Sequence, residues 1–203
     1  MKTSPSRRGI FLAVLAGLCL LPSVSNAAIS VIGSGPDSSF LVLESPNLGV
    51  RTYEVHYTYN SGSAQDSYFL LNVVLSSDSL LTAAIGNFGT PSAPNYYVNS
   101  FTTNSITETT VSSPPYIPYW AQWVSGGTGF QNPDYSFNSG AAPAGIWSSG
   151  YGISTHLVTP GSWDALFYSD GNTQPSVAPI PETSSVLLGV LGVLVVFKRR
   201  RIG

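Results

Sequence analysis

Seven of the eight basic residues crowd the two ends of the chain, Lys2, Arg7 and Arg8 at one and Lys198, Arg199, Arg200 and Arg201 at the other, so Arg51 is the only Lys or Arg between them. Residues 28–180 therefore set nine carboxylates (Asp37, Glu44, Glu54, Asp66, Asp78, Glu108, Asp134, Asp164 and Asp170) against one guanidinium, and ion pairs cannot hold them together. Disulfides cannot either, because the single cysteine, Cys19, lies in the N-terminal apolar run. Burial of apolar and aromatic side chains is what remains. About 150 residues are enough for one domain with a core. With 12% aromatic and 9% charged residues, the composition is that of an ordered chain rather than a disordered one. Ser, Thr, Asn and Gly supply the polarity, as in secreted, surface-exposed β-rich proteins. Without clustered cations in residues 28–180 to neutralise phosphates, nucleic acid is not an expected partner.

Residues 1–27 read as a signal peptide. A basic start is followed by an apolar stretch from Gly9 to Leu21, a break at Pro22, and the small residues Ser25 and Ala27 before Ala28, which predict cleavage after Ala27. The Sec translocon and signal peptidase are the implied partners. Leu18 ahead of Cys19 spoils a lipoprotein box, which needs a small residue there.

The other end has three consecutive parts. Ile180-Pro181-Glu182-Thr183 comes first, an apolar helix over 184–197 second, and the basic tail 198–203 third. The twelve apolar residues from Val186 to Phe197 would rise only about 18–22 Å as a helix, short of a ~30 Å hydrocarbon core. Lys198, Arg199, Arg200 and Arg201 nevertheless form a stop-transfer signal, and their long side chains can snorkel to lengthen a short span. Pro181 disfavours a helical Ile180, so the chain is expected to enter the membrane from an extended segment. The polar, Pro-containing stretch 170–179 reads as a linker. A Gram-positive sortase motif lacks its glycine here, and a glycolipid-anchor signal would not end in four cations. An uncleaved single-pass anchor is the simpler rival.

This order of motif, helix and cations resembles the PEP-CTERM sorting signal of Gram-negative bacteria, with Thr183 where the usual motif has its second proline. The resemblance implies that an exosortase-type membrane transpeptidase recognises Ile180, Pro181, Glu182 and Thr183 and cuts near them. It also implies delivery across the inner membrane to the cell surface or the extracellular polysaccharide matrix. The chain would be substrate in that reaction, since the nucleophile belongs to the processing enzyme.

For residues 28–169 the expectation is an α+β, mainly β domain: a small antiparallel sheet with one helix, β-grasp-like, or alternatively a β-sandwich. "RTYEVHYTYN" alternates Tyr53, Val55, Tyr57 and Tyr59 with polar residues and predicts a strand. "DSYFLLNVVLSSDSLL" predicts a helix capped by Asp66, with a buried strand over Tyr68 to Leu75 as the alternative. Short strands are expected at 95–101, 105–111, 119–124, 152–158 and 163–168. "YWAQWVSGG" and "TPGSWDALFY" resemble strands of small surface β-grasp domains.

No catalytic motif stands out, and the reading is of a noncatalytic protein without cofactor or metal. His56 and His156, the only histidines, lack zinc-site spacing, and "GISTH" is not a nucleophile elbow. Ser154 and His156 with an aspartate would be the weakest of triads. A glycosidase pair could be drawn from the nine acids only arbitrarily. Asp134, Asp164 and Asp170 with Asn132, Asn138 and Asn172 offer oxygen ligands for calcium, but Asx turns explain them equally. The aromatic cluster carries the better binding hypothesis. Trp120, Trp123, Trp147 and Trp163 fall close together with Tyr116, Tyr119, Tyr135, Tyr151 and Tyr168, and exposed rings would stack on polysaccharide. Core packing is the competing explanation. Trp120 and Trp123, three apart on a strand, are expected on opposite faces.

Overall fold

The computed structural model describes residues 28–180 except 64 and 92. Its strands are β1 (Ile29–Gly33), β2 (Asp37–Ser45), β3 (Gly49–Tyr57), β4 (Leu81–Asn87), β5 (Tyr96–Thr103), β6 (Ile106–Thr109), β7 (Tyr119–Ser125), β8 (Thr128–Gln131), β9 (Phe137–Ala141), β10 (Ser148–Ser149) and β11 (Trp163–Ser169); the helix α1 spans Ser67–Ser77. The fold is mainly β, in three sheets: six strands in the order β1-β3-β2-β11-β7-β10, the meander β4-β5-β6, and the hairpin β8-β9. The main sheet is mixed, because β1 runs parallel to β3 and β2 parallel to β11, which corrects the expected antiparallel sheet. Its central pairing, β2 with β11, joins segments more than a hundred residues apart.

α1 forms where expected. Asp66 accepts a hydrogen bond from the Phe69 N–H (2.8 Å), satisfying one of the donors left open at a helix start. Ser67, Leu70, Leu71 and Val74 recur at helical spacing and are buried. The helix stops at Asp78, short of the apolar Leu80 and Leu81 read into it, because Asp78 turns extended and its Oδ1 accepts from Leu80 N–H (3.0 Å). Asp78 Oδ2 also accepts from Tyr53 Oη (2.8 Å) and pairs with Arg51 (3.4 Å), tying this end of α1 to β3. Burial, followed by that hydrogen bond to Asp78, pushes the Tyr53 phenol up to about 12.

Both faces of the main sheet are covered. Strand alternation puts Leu41, Leu43, Tyr53, Val55, Tyr57, Trp120 and Leu166 on one face, where α1 and the meander cover them with Leu70, Leu71, Val74, Leu81, Val98 and Phe101. Phe101 meets Trp120 edge-on at 4.7 Å. The opposite face carries Val42, Ala121, Trp123, Trp163 and Ala165, with Trp147 packed on them. Large and small alternate across the ladder: Ala165 opposes Trp123, Ala121 opposes Phe167, and Trp163 stacks on Phe40 at 4.1 Å. Each aromatic ring removes about 150–250 Å² from water, worth at most about 4–6 kcal/mol.

Residues 170–179, expected as a linker, pack against the domain. Trp147 Nε1 donates to the Val177 carbonyl (2.8 Å), Ser176 N–H donates to Glu44 Oε2 (2.8 Å), and Pro175 and Pro179 are buried. Residues 152–158, expected as a strand, instead turn: Gly152 has φ +141°, Thr155 N–H returns to the Gly152 carbonyl, and only Leu157 makes bridging pairs. Among the described residues no helix is long and apolar enough to cross a membrane. The expected signal peptide with Ser25 and Ala27, Pro181 to Thr183, the apolar run 184–197 and Lys198 to Arg201 lie outside the described residues.

Candidate functional site

The four tryptophans are core residues. Trp120, Trp123, Trp147 and Trp163 retain 4–8% of their accessible surface, too little for an indole face to stack on a ligand. The expected opposition of Trp120 and Trp123 is observed, but each face has its own cover, so both are buried. The covers on both faces leave none of these four rings exposed enough to serve as a stacking platform.

Under the first turn of α1, four polar side chains from four parts of the chain converge. Ser67 begins the helix, Gln122 points from β7 and Asp164 from β11 onto the same face, and His156 comes from the 152–158 turn. His156 Nδ1 lies 3.0 Å from Asp164 Oδ1 and 3.3 Å from Ser67 Oγ, while its Nε2 lies 2.8 Å from the Gly126 carbonyl. Ser67 Oγ also donates to Asp164 Oδ1 and accepts from Gln122 Nε2 (2.7 Å). Gln122 Oε1 in turn accepts from Gly152 N–H (3.0 Å), fixing the turn that carries His156. With a carboxylate and a carbonyl facing the two ring nitrogens, the doubly protonated imidazolium can donate to both. Burial opposes that charge, but the Asp164 carboxylate, its hydrogen bond and the Gly126 carbonyl outweigh it and raise the His156 pKa above the ordinary value.

Serine, histidine and aspartate are all present, yet the arrangement cannot perform nucleophilic catalysis. A serine nucleophile needs the ring nitrogen opposite the one bound to aspartate. Here Ser67 and Asp164 share Nδ1, Nε2 is committed to a backbone carbonyl, and His156, Asp164 and Ser67 are at most 2% exposed. Ser154, the serine paired with His156 on sequence grounds, instead accepts from Tyr96 N–H (3.0 Å) and donates to the Pro94 carbonyl (3.1 Å). His56 is half-buried beside Glu54 (3.1 Å). The calcium set is not assembled: Asp164 is interior, Asp134 caps Ser136 (3.0 Å) and Asp170 caps Asn172 (3.0 Å). No group of three His, Cys, Asp or Glu suited to a metal occurs among the described residues.

Two surface depressions stand out among the described residues. One, of about 280 Å³, is a shallow, largely apolar trough between 125–126, 144–145 and 159–163, with Ile180 at its rim. The other, of about 320 Å³, is polar and is formed by Tyr119 and Trp123 of β7, the loop residues Asn132, Pro133 and Tyr135 that follow β8, and the turn Asp170-Gly171-Asn172. Gly171, at φ +81°, is required there because a Cβ would lie 1.9 Å from Tyr119 Oη. Tyr119 and Tyr135 belong to the aromatic cluster visible in the sequence, but nothing local to residues 170–172 announces that they meet it.

No protein-family model, no curated protein and no solved structure matches this chain.

Proposed function

We propose that the chain is an exported, noncatalytic cell-surface or extracellular-matrix protein, processed at its C-terminal signal by an exosortase-type membrane transpeptidase. The observation that carries this reading is the uninterrupted order of Ile180-Pro181-Glu182-Thr183, the apolar run 184–197 and the cations 198–201. The domain's construction is compatible with it. Trp147 and Glu44 pin the chain at Val177 and Ser176, and beyond buried Pro179 the side chain of Ile180 is 53% exposed. A cut after that point removes none of the core contacts described above. The sealed Ser67–His156–Asp164 cluster supports the noncatalytic part of the reading.

Replacing Pro181→Ala and Glu182→Gln together in the native host tests the proposal. The double variant is expected to accumulate uncut in the inner-membrane fraction while the unmodified chain reaches the surface or medium. Equal distribution of the two would overturn it.

A further inference from the structure

We propose that the polar cleft between Tyr119, Tyr135 and the 170–172 turn is a binding site for a neutral saccharide. At about 320 Å³ it is at the small end of ligand sites, which are typically ~300–1,000 Å³. Its chemistry combines an exposed ring with unpaired hydrogen-bonding groups. Tyr135 is 73% exposed, held outward by a backbone at φ +67° and by the Asp134 cap on Ser136. The hydroxyls of Tyr119 and Tyr135 and the Asn172 side-chain oxygen take no hydrogen bond from another described residue, although a half-buried phenol ordinarily finds a partner. Tyr119 Oη occupies the space that a Cβ at residue 171 would fill, and burial, Asp170 and Tyr135 keep its phenol protonated by pushing its pKa up. Gln131 is oriented by Ser149 (2.9 Å) and by the Tyr135 carbonyl (3.3 Å).

Charge selects the ligand class. Asp170 lines the cleft, Asp134 stands beside it, and no Lys or Arg is among the lining residues. A sulfated or uronic-acid glycan would therefore meet like charge, whereas a neutral sugar presents hydroxyls to the phenols and amide and an apolar ring face to Tyr135. The assignment is independent of the C-terminal processing proposed above.

The test uses the full 203-residue chain in a polyoxyethylene detergent, so that no sugar headgroup competes. Cellotetraose, mannotetraose and xylotetraose serve as neutral probes in titration calorimetry, with tetragalacturonate as the acidic one. Saturable binding of at least one neutral probe is expected, weakened about tenfold by Tyr135→Ala, the upper end of what one aromatic contact supplies. Tyr119→Phe, which removes only the hydroxyl, should weaken it less. Tyr116→Ala, an equally simple truncation of an exposed ring outside the cleft, should leave it unchanged. Absence of binding by all three neutral probes, preference for tetragalacturonate, or binding that survives Tyr135→Ala would each overturn the assignment.

Discussion

His156 Nδ1 and Asp164 Oδ1 lie 3.0 Å apart beneath the helix, in a site from which solvent is excluded on every side. Breaking such a pair costs more than the pair itself contributes, because the surviving charge is left in a medium that cannot solvate it. His156→Gln is therefore expected to lower stability by about 3–5 kcal/mol, with Asp164→Asn costing less because the imidazole left behind becomes neutral by losing a proton. Denaturant unfolding checks this.

The pair also sets the sign of a pH dependence. A raised His156 pKa means that the folded protein holds a proton more tightly than the unfolded one. Its contribution is complete below the unfolded value of about 6.5 and is lost as pH rises through the folded value. Thermal melts at increasing pH above 6.5 should fall for the unmodified protein and stay flatter for His156→Gln. Asp66, whose carboxyl is pushed up mainly by burial, is present in both proteins, so the difference between the curves isolates His156.

Gly127 tests the packing around the same ring. It has φ +68°, and a Cβ there would stand 2.5 Å from His156 Nε2 and 2.6 Å from the Leu157 carbonyl. Gly127→Ala should cost about 1–3 kcal/mol from backbone strain alone, more if the imidazole is displaced from the Gly126 carbonyl. A melting temperature unchanged by this substitution would mean that the turn relaxes freely.

The tail clamp predicts a local effect. Trp147→Phe removes the bond to the Val177 carbonyl while keeping most of the ring, and Glu44→Ala removes the acceptor of Ser176 N–H. Glu44→Ala should cost about 1 kcal/mol and Trp147→Phe more, because it also leaves space against Val42 and Trp163; both should speed amide exchange more in residues 174–180 than in β2 and β11. Hydrogen exchange read by mass spectrometry resolves the two regions.

What was legible in the sequence was what local chemistry decides. Tyr53, Val55 and Tyr57 announce β3 by alternation, and Asp66 announces α1 by its cap. β2 passes unread although it is central, because Phe40 to Leu43 is apolar on both sides and has no alternation to detect. The 152–158 stretch misleads for the opposite reason: His156 is buried by what arrives from Asp164, Ser67 and Gly126, not by its own neighbours in sequence. The tryptophans advertise a binding surface until both faces of the sheet are seen to be covered. The cleft beside them depends on a turn at 170–172 meeting Tyr119, a contact between segments about fifty residues apart that no local pattern encodes.

The most direct measurement is the mass of the C-terminal peptide of the protein isolated from its native host, with and without the membrane transpeptidase. The account predicts loss of the residues beyond about Glu182 only when that enzyme is present. A C-terminus ending at Gly203 in both strains would contradict it and leave the tail as a permanent anchor.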